Sequence, residues 1–183
     1  RRYPTEMQPT ATSVPTSTGK IVLRSLSKEL DTDTFRRRLV DCCNETTIYD
    51  RLFRSRLSSN RYSFDDAAGF IRWADDGWRT GSHFVFVALD SDDLPIASCD
   101  IKTTTRVRDE IGYWRSRRRM GCMTDIADAM MRLAIADGFR ELFARIHPSN
   151  PGSAAVVKRL GFERHGKKDD YILYRFLNPQ VIG

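Results

Sequence analysis

Apolar positions change their spacing several times along the chain, and each change marks an element. Ile21, Val22 and Leu23 form a short apolar run that predicts a strand. Phe35 and Leu39, four apart within residues 31–40, put one apolar stripe on a helix. Ser63 with Asp66 three places on has the spacing of a capping box. Ala67, Phe70, Ile71 and Ala74 then share a face, so a second helix is predicted from Ser63 to a stop at Gly77. Residues 83–89 are nearly unbroken in apolar character and predict a strand. The polar turn 90–95 and the run 96–103 complete a hairpin with it, and a third strand is predicted over 107–114. Within 120–138, Ile126, Met130 and Leu133 recur at helical spacing with Asp125, Asp128 and Arg132 opposite, and Gly138 suits the residue after the helix. Residues 142–147 predict a strand. Asn150, Pro151 and Gly161 read as the cap, first position and C′ residue of a short helix, and 171–177 close the chain as a strand. Such an order implies an α/β or α+β fold with a central sheet flanked by helices.

Residues 1–19 break this pattern. They hold Pro4, Pro9 and Pro15, many Thr, and almost no aliphatic side chains, so they are expected to form a flexible tail before a single domain over 20–183. The 183 residues suffice for one domain with its own core. No apolar run is long enough to span a bilayer, which argues against a membrane protein. No hydrophobic leader opens the chain, and Cys42, Cys43, Cys99 and Cys122 lack disulfide-framework or zinc spacing. A cytoplasmic protein without a metal is therefore expected. The net charge of +6 suggests an acidic partner: a nucleic acid, an anionic cofactor or an acidic substrate.

Three segments carry candidate chemistry. Arg117 to Thr124, RRRMGCMT, lies between a strand and a helix, where unpaired backbone N–H groups and the helix dipole suit a pyrophosphate. A solvated basic turn has the same composition. Asn150 and Ser153 open a helix after a strand, either as a cap and a small residue or as groups facing a ligand. Gly112, within Glu110-Ile111-Gly112-Tyr113-Trp114, marks a bulge, a close ligand approach, or a sheet with two packed aromatics.

Taken in order, EIGYW, RRMGCMTD and HPSNPGSAAVVKRLGF resemble the GNAT N-acetyltransferase superfamily, most closely its RimJ/RimL-type branch, over roughly residues 20–177. The resemblance implies a mixed, largely antiparallel sheet that splays between two central parallel strands, here those ending at Trp114 and His147. It implies acetyl-CoA as cosubstrate and a primary amine as acceptor, either a protein N-terminal α-amine or a small molecule. The family's phosphate loop, R/Q-x-x-G-x-G/A, maps onto Arg118, Gly121 and Met123, with Arg119, Met120, Cys122 and Thr124 between and beside them. Met123 replaces a small residue, which is accommodated if its side chain enters the core and only its N–H meets phosphate. The pantetheine would pair with backbone from Ile111 through Gly112 and Tyr113 to Trp114 and bond Asn150. Ser153 would lie near the sulfur and protonate the leaving thiolate.

For the base, Glu110 ranks first, with Asp100 and His147 next and Asp169 or Asp170 as loose candidates. The acceptor pocket is expected from residues 51–78, where Trp73 and Trp78 are candidate linings, and from the last strands. A homodimer is compatible with the family. Two alternatives stand beside the enzyme: an acyl-CoA-binding regulator of the same fold, and a basic nucleic-acid-binding module, for which no RRM, KH or zinc-finger signature is present.

Overall fold

The computed structural model describes residues 7–17 and 19–181. Eight strands form one sheet in the order β1-β2-β3-β4-β5-β6-β8-β7. They are β1 (Ala11–Thr16), β2 (Gly19–Ser25), β3 (Phe84–Leu89), β4 (Pro95–Ile101), β5 (Asp109–Arg115), β6 (Glu141–Ile146), β7 (Glu163–Lys168) and β8 (Tyr171–Leu177). Every neighbouring pair is antiparallel except β5 and β6. The helices are α1 (Asp33–Cys43), α2 (Thr46–Ile48), which runs into a π-helical turn at Tyr49–Phe53, α3 (Phe64–Thr80), α4 (Met123–Ala136) and α5 (Pro151–Arg159).

Side-chain alternation assigns each face of the sheet its own core. On β3, Phe84, Phe86 and Ala88 enter the cluster built on α4, whereas Val85, Val87 and Leu89 enter the one built on α1 and α3. Both faces are covered, which is why this strand reads as an unbroken apolar run. On β4, Ala97, Cys99 and Ile101 face α4. Ser98 and Asp100 therefore face the other way, as Gly112 and Trp114 do on β5. That polar exception on the α1/α3 side lines the second cavity described below.

Helix ends follow the sequence closely. Ser63 and Asp66 form the reciprocal capping box of α3, with Ser63 Oγ accepting from Asp66 N at 3.1 Å. Asn150 caps α5 by accepting from Ser153 N at 3.1 Å, and the Phe162 N–H returns to Val157 O at 3.0 Å past Gly161.

Three expectations change. Gly77 does not end α3, which runs on to a left-handed Gly81 at φ 68°. Gly77 is instead where His83 packs: a Cβ there would lie 2.5 Å from the His83 ring and carbonyl oxygen. Residues 11–16 are strand β1 rather than tail, because β2 offers an edge to pair with and Val14 is buried against the α4 cluster. Met7 is buried in the same cluster, while residues 1–6 of the expected tail lie outside the described residues. Strand β7 was not expected. All six of its residues are exposed, so it has no hydrophobic pattern, and pairing with β8 alone defines it.

Candidate active site

The parallel pair β5–β6 holds together over only two partners, Asp109 with Leu142 and Glu110 with Phe143. Beyond them β5 continues to Arg115 while still paired to β4, so its other edge from Ile111 onward opens away from β6. Glu110 sits at the point of divergence. Its carboxylate receives Lys102 Nζ at 2.7 Å and Arg145 Nε, from β6, at 3.1 Å. These bonds fasten the two strands where they part.

A cleft of about 330 Å³ fills the opening. Tyr113 and Trp114 form its β5 wall. Tyr113 donates from its hydroxyl to Ser153 O at 2.8 Å, and burial pushes its pKa up to about 12, so the phenol stays protonated. Asn150 and Ser153 form the α5 wall. Asn150 Nδ2 donates to Ser153 Oγ at 2.9 Å, which leaves the serine's own proton for another acceptor.

Gly121, Met123 and Thr124 close one end of the cleft. Gly121 takes φ 77° and turns the chain into α4. Cys122 stands at the cap position but its side chain makes no cap hydrogen bond, so the first amides of α4 remain as donors. Met123 is 6% exposed and belongs to the α4 core, as its replacement of a small residue requires. The turn before α4 is anchored from the opposite side of the fold. Glu45 accepts from Ser116 Oγ and, at 2.8 Å, from Arg117 N.

Other expected residues lie elsewhere. Ile111 is buried in the α4 core. Arg118 faces Asp41 at 3.9 Å, Arg119 reaches Gly19 on β2, and Met120 accepts from Arg115 Nη1 at 2.9 Å. Cys122 is buried and its thiol pKa is raised by that burial, so it supplies no thiolate nucleophile. His147 is exposed, bonded to Ser149 Oγ at 2.7 Å and edge-on to Tyr171, and lines neither the cleft nor the cavity described next. The same holds for Glu110, which meets that cavity only through its two cationic partners.

A second cavity, of about 470 Å³, lies across β5 from the cleft and shares Leu52, Tyr113 and Trp114 with it. Asp100 faces it, beside Gly112. Oδ1 of Asp100 is shielded from solvent and has no hydrogen-bond partner among the described residues. Burial raises its carboxyl pKa above the ordinary value, more than nearby Lys102 and the Gly112 amide lower it. Gly112 is required here by contact rather than by backbone angle, since a Cβ would come within 2.9 Å of that same oxygen. Trp73 lines this cavity. Trp78 does not: it is buried and donates from its indole to Val85 O at 2.8 Å.

The segment over α2 and the π turn was not singled out as an element by its sequence. Thr47, Ile48, Arg51 and Leu52 nevertheless roof the cleft, and Arg51 Nη2 reaches Ser149 O at 3.3 Å across its mouth. Among the described residues no cluster of His, Cys, Asp and Glu could hold a metal, and no helix is long and apolar enough to cross a membrane.

Known structures share this arrangement. RimJ from Mycobacterium smegmatis, in complex with CoA-disulfide, superposes with a TM-score of 0.74 at 20% identity, covering 96% of this chain and 92% of that one. The ribosomal-protein-S5-alanine acetyltransferase from Vibrio fischeri gives 0.68 at 16%, covering 93% and 98%. The Campylobacter jejuni N-acetyltransferase PseH, in complex with acetyl coenzyme A, gives 0.59 at 15%, covering 86% and 98%. At these identities the likeness is one of fold. No curated protein matches by sequence. Residues 20–163 match the family described as acetyltransferase (GNAT) domain. With its sheet parted beside an uncapped helix start, the chain belongs to the GNAT acetyltransferase family, whose acyl donor is acetyl-CoA.

Proposed function

We propose that the protein moves the acetyl group of acetyl-CoA to a primary amine, a protein N-terminal α-amine or a small-molecule amine, by direct attack within a ternary complex. The observation that carries this reading is Asp100, a carboxyl with a pKa raised by burial, lining a cavity that shares Leu52, Tyr113 and Trp114 with the cleft. An ammonium in the cavity would meet that carboxyl, and a carboxyl with a raised pKa is the better proton acceptor near neutral pH.

Each part of the donor has a matching surface. The amides opening α4 suit the diphosphate. The free edge of β5 offers Tyr113 and Trp114 backbone groups to the pantetheine, and an N–H there would polarise the thioester carbonyl. The ammonium first gives a proton to Asp100. The amine lone pair then forms the N–C bond, and collapse breaks the C–S bond with its electrons left on sulfur. Ser153 Oγ supplies the thiolate with a proton and is repaid by the one the nitrogen loses. The balance is amide, CoA thiol and one proton released through Asp100.

Thiol release from acetyl-CoA with a panel of amines and peptides tests the reaction, and release with none of them would refute it. Binding has its own test. Gly121→Val forces a β-branched residue into positive φ, at about 1–2 kcal/mol. Calorimetry is expected to show acetyl-CoA bound about tenfold more weakly, and unchanged affinity would remove the α4 turn from the diphosphate site.

A further inference from the structure

The charge on the acceptor cavity narrows its substrate. Asp100 is the one carboxylate among the described residues that line it, while Arg56, Lys102 and Arg145 supply three cations. Lys102 and Arg145 share Glu110 between them, so their wall keeps one uncompensated positive charge. Arg56 is exposed and no carboxylate of the described residues pairs with it. Once an ammonium occupies Asp100, every other charge facing the cavity is positive. A polyamine would set its second cation against these groups. An acceptor that brings its own anion would be drawn to them.

Distance decides how close that anion sits to the amine. The Asp100 and Lys102 side chains both flank Gly112, where a Cβ would lie 2.9 Å from Asp100 Oδ1 and 3.1 Å from the Lys102 Cε methylene. A free α-amino acid presents an ammonium and a carboxylate on one carbon, so its two charges meet neighbouring side chains of the cavity. A peptide N-terminus has a neutral amide in the carboxylate's place. The opposite side of the cavity is aromatic, with Phe53 packed on Tyr62 at 4.6 Å and Phe70 stacked on the half-exposed Trp73 at 6.1 Å. About 470 Å³ is ample for one such molecule.

We infer that the acceptor is a free α-amino acid with a large apolar side chain: ammonium on Asp100, carboxylate toward Lys102 and Arg56, side chain against Phe70 and Trp73. This rests on the acetyltransferase reading and names its substrate class. The products are the N-acetyl amino acid, CoA thiol and one proton.

Thiol release is compared for L-tryptophan, tryptophan amide, tryptamine and spermidine, and the CoA-saturated protein is titrated calorimetrically with the same four. L-tryptophan is expected to exceed the amide and tryptamine about tenfold or more in kcat/KM and in affinity, with spermidine inactive. Arg56→Gln is expected to raise KM for tryptophan about tenfold with kcat little changed, and Arg56→Lys to restore most of the loss. Equal or better use of tryptamine, the amide or spermidine keeps the enzyme and overturns this assignment. Tryptophan that binds selectively but is never acetylated keeps the assignment and refutes the transfer reaction. Failure of tryptophan to bind the CoA complex more tightly than tryptamine overturns the assignment outright.

Discussion

Asp100→Asn is expected to lower kcat by about 10²–10³-fold while leaving acetyl-CoA affinity unchanged. The substitution keeps the side chain's size and removes only its ability to take a proton. Asp100 faces the second cavity and not the cleft, so donor binding has no reason to move. The pH profile gives the finer test. Burial raises the Asp100 carboxyl, and its basic form accumulates as pH rises through that raised value. Activity of the natural protein is therefore expected to climb with pH through that range, above an ordinary carboxylate's. In the variant that limb should vanish, leaving the deprotonation of the amine itself. A variant with natural kcat and the same acidic limb would move the base to another residue.

The second large effect concerns stability. Gly77→Ala is expected to destabilise the fold by about 2–3 kcal/mol, although Ala is the better helix former. In α3 the added methyl would lie 2.5 Å from His83 Cδ2, Nε2 and the carbonyl oxygen, and the last of these is backbone that cannot rotate aside. His83 is itself held, with Nε2 at 2.9 Å from Trp73 O and its ring stacked on Trp73 at 4.1 Å. For a domain of this size the midpoint should fall by about 5–10 °C. Gly69→Ala, in the same helix, is the matched control. Its Cβ meets only Arg72 Nη2 at 3.9 Å, so a gain of about 0.5–1 kcal/mol is expected. Thermal denaturation of both variants separates crowding from helix propensity, and two shifts of the same sign would show that the His83 contact does not govern Gly77.

Gly77 also shows where sequence reading stops. A glycine at the end of an apolar helical stripe reads as a terminator, yet its reason is a close contact with a residue six positions on, visible only once α3 and β3 are docked. The capping box of Ser63 and Asp66 was legible because both partners lie within one turn. Asn150 and Gly161 were legible for the same reason. Strand β1 was not, since its only buried aliphatic is Val14 and its support comes from the neighbouring edge of β2. At the site, the segments around Gly121 and Ser153 carry local signals, and both line the cleft. Glu110 illustrates the other case. An acid before Ile-Gly-Tyr draws attention as a base, but whether two cations clamp it depends on Lys102 and Arg145, which arrive from other strands. Asp100 ranked lower on sequence, and what singles it out is a carboxyl with a pKa raised by burial that lines the second cavity, a property of the packed fold alone.

The parting of β5 from β6 ends their ladder after Glu110 and Phe143, so among the described residues the β5 edge from Ile111 onward has no strand partner on that side. Elsewhere such rungs are completed by another strand. Under the binding mode proposed above, the pantetheine arm would complete them and make the donor a temporary structural member of the fold. Occupancy and rigidity are then two readings of one equilibrium: as donor concentration rises, the halves of the molecule on either side of the gap become harder to pull apart.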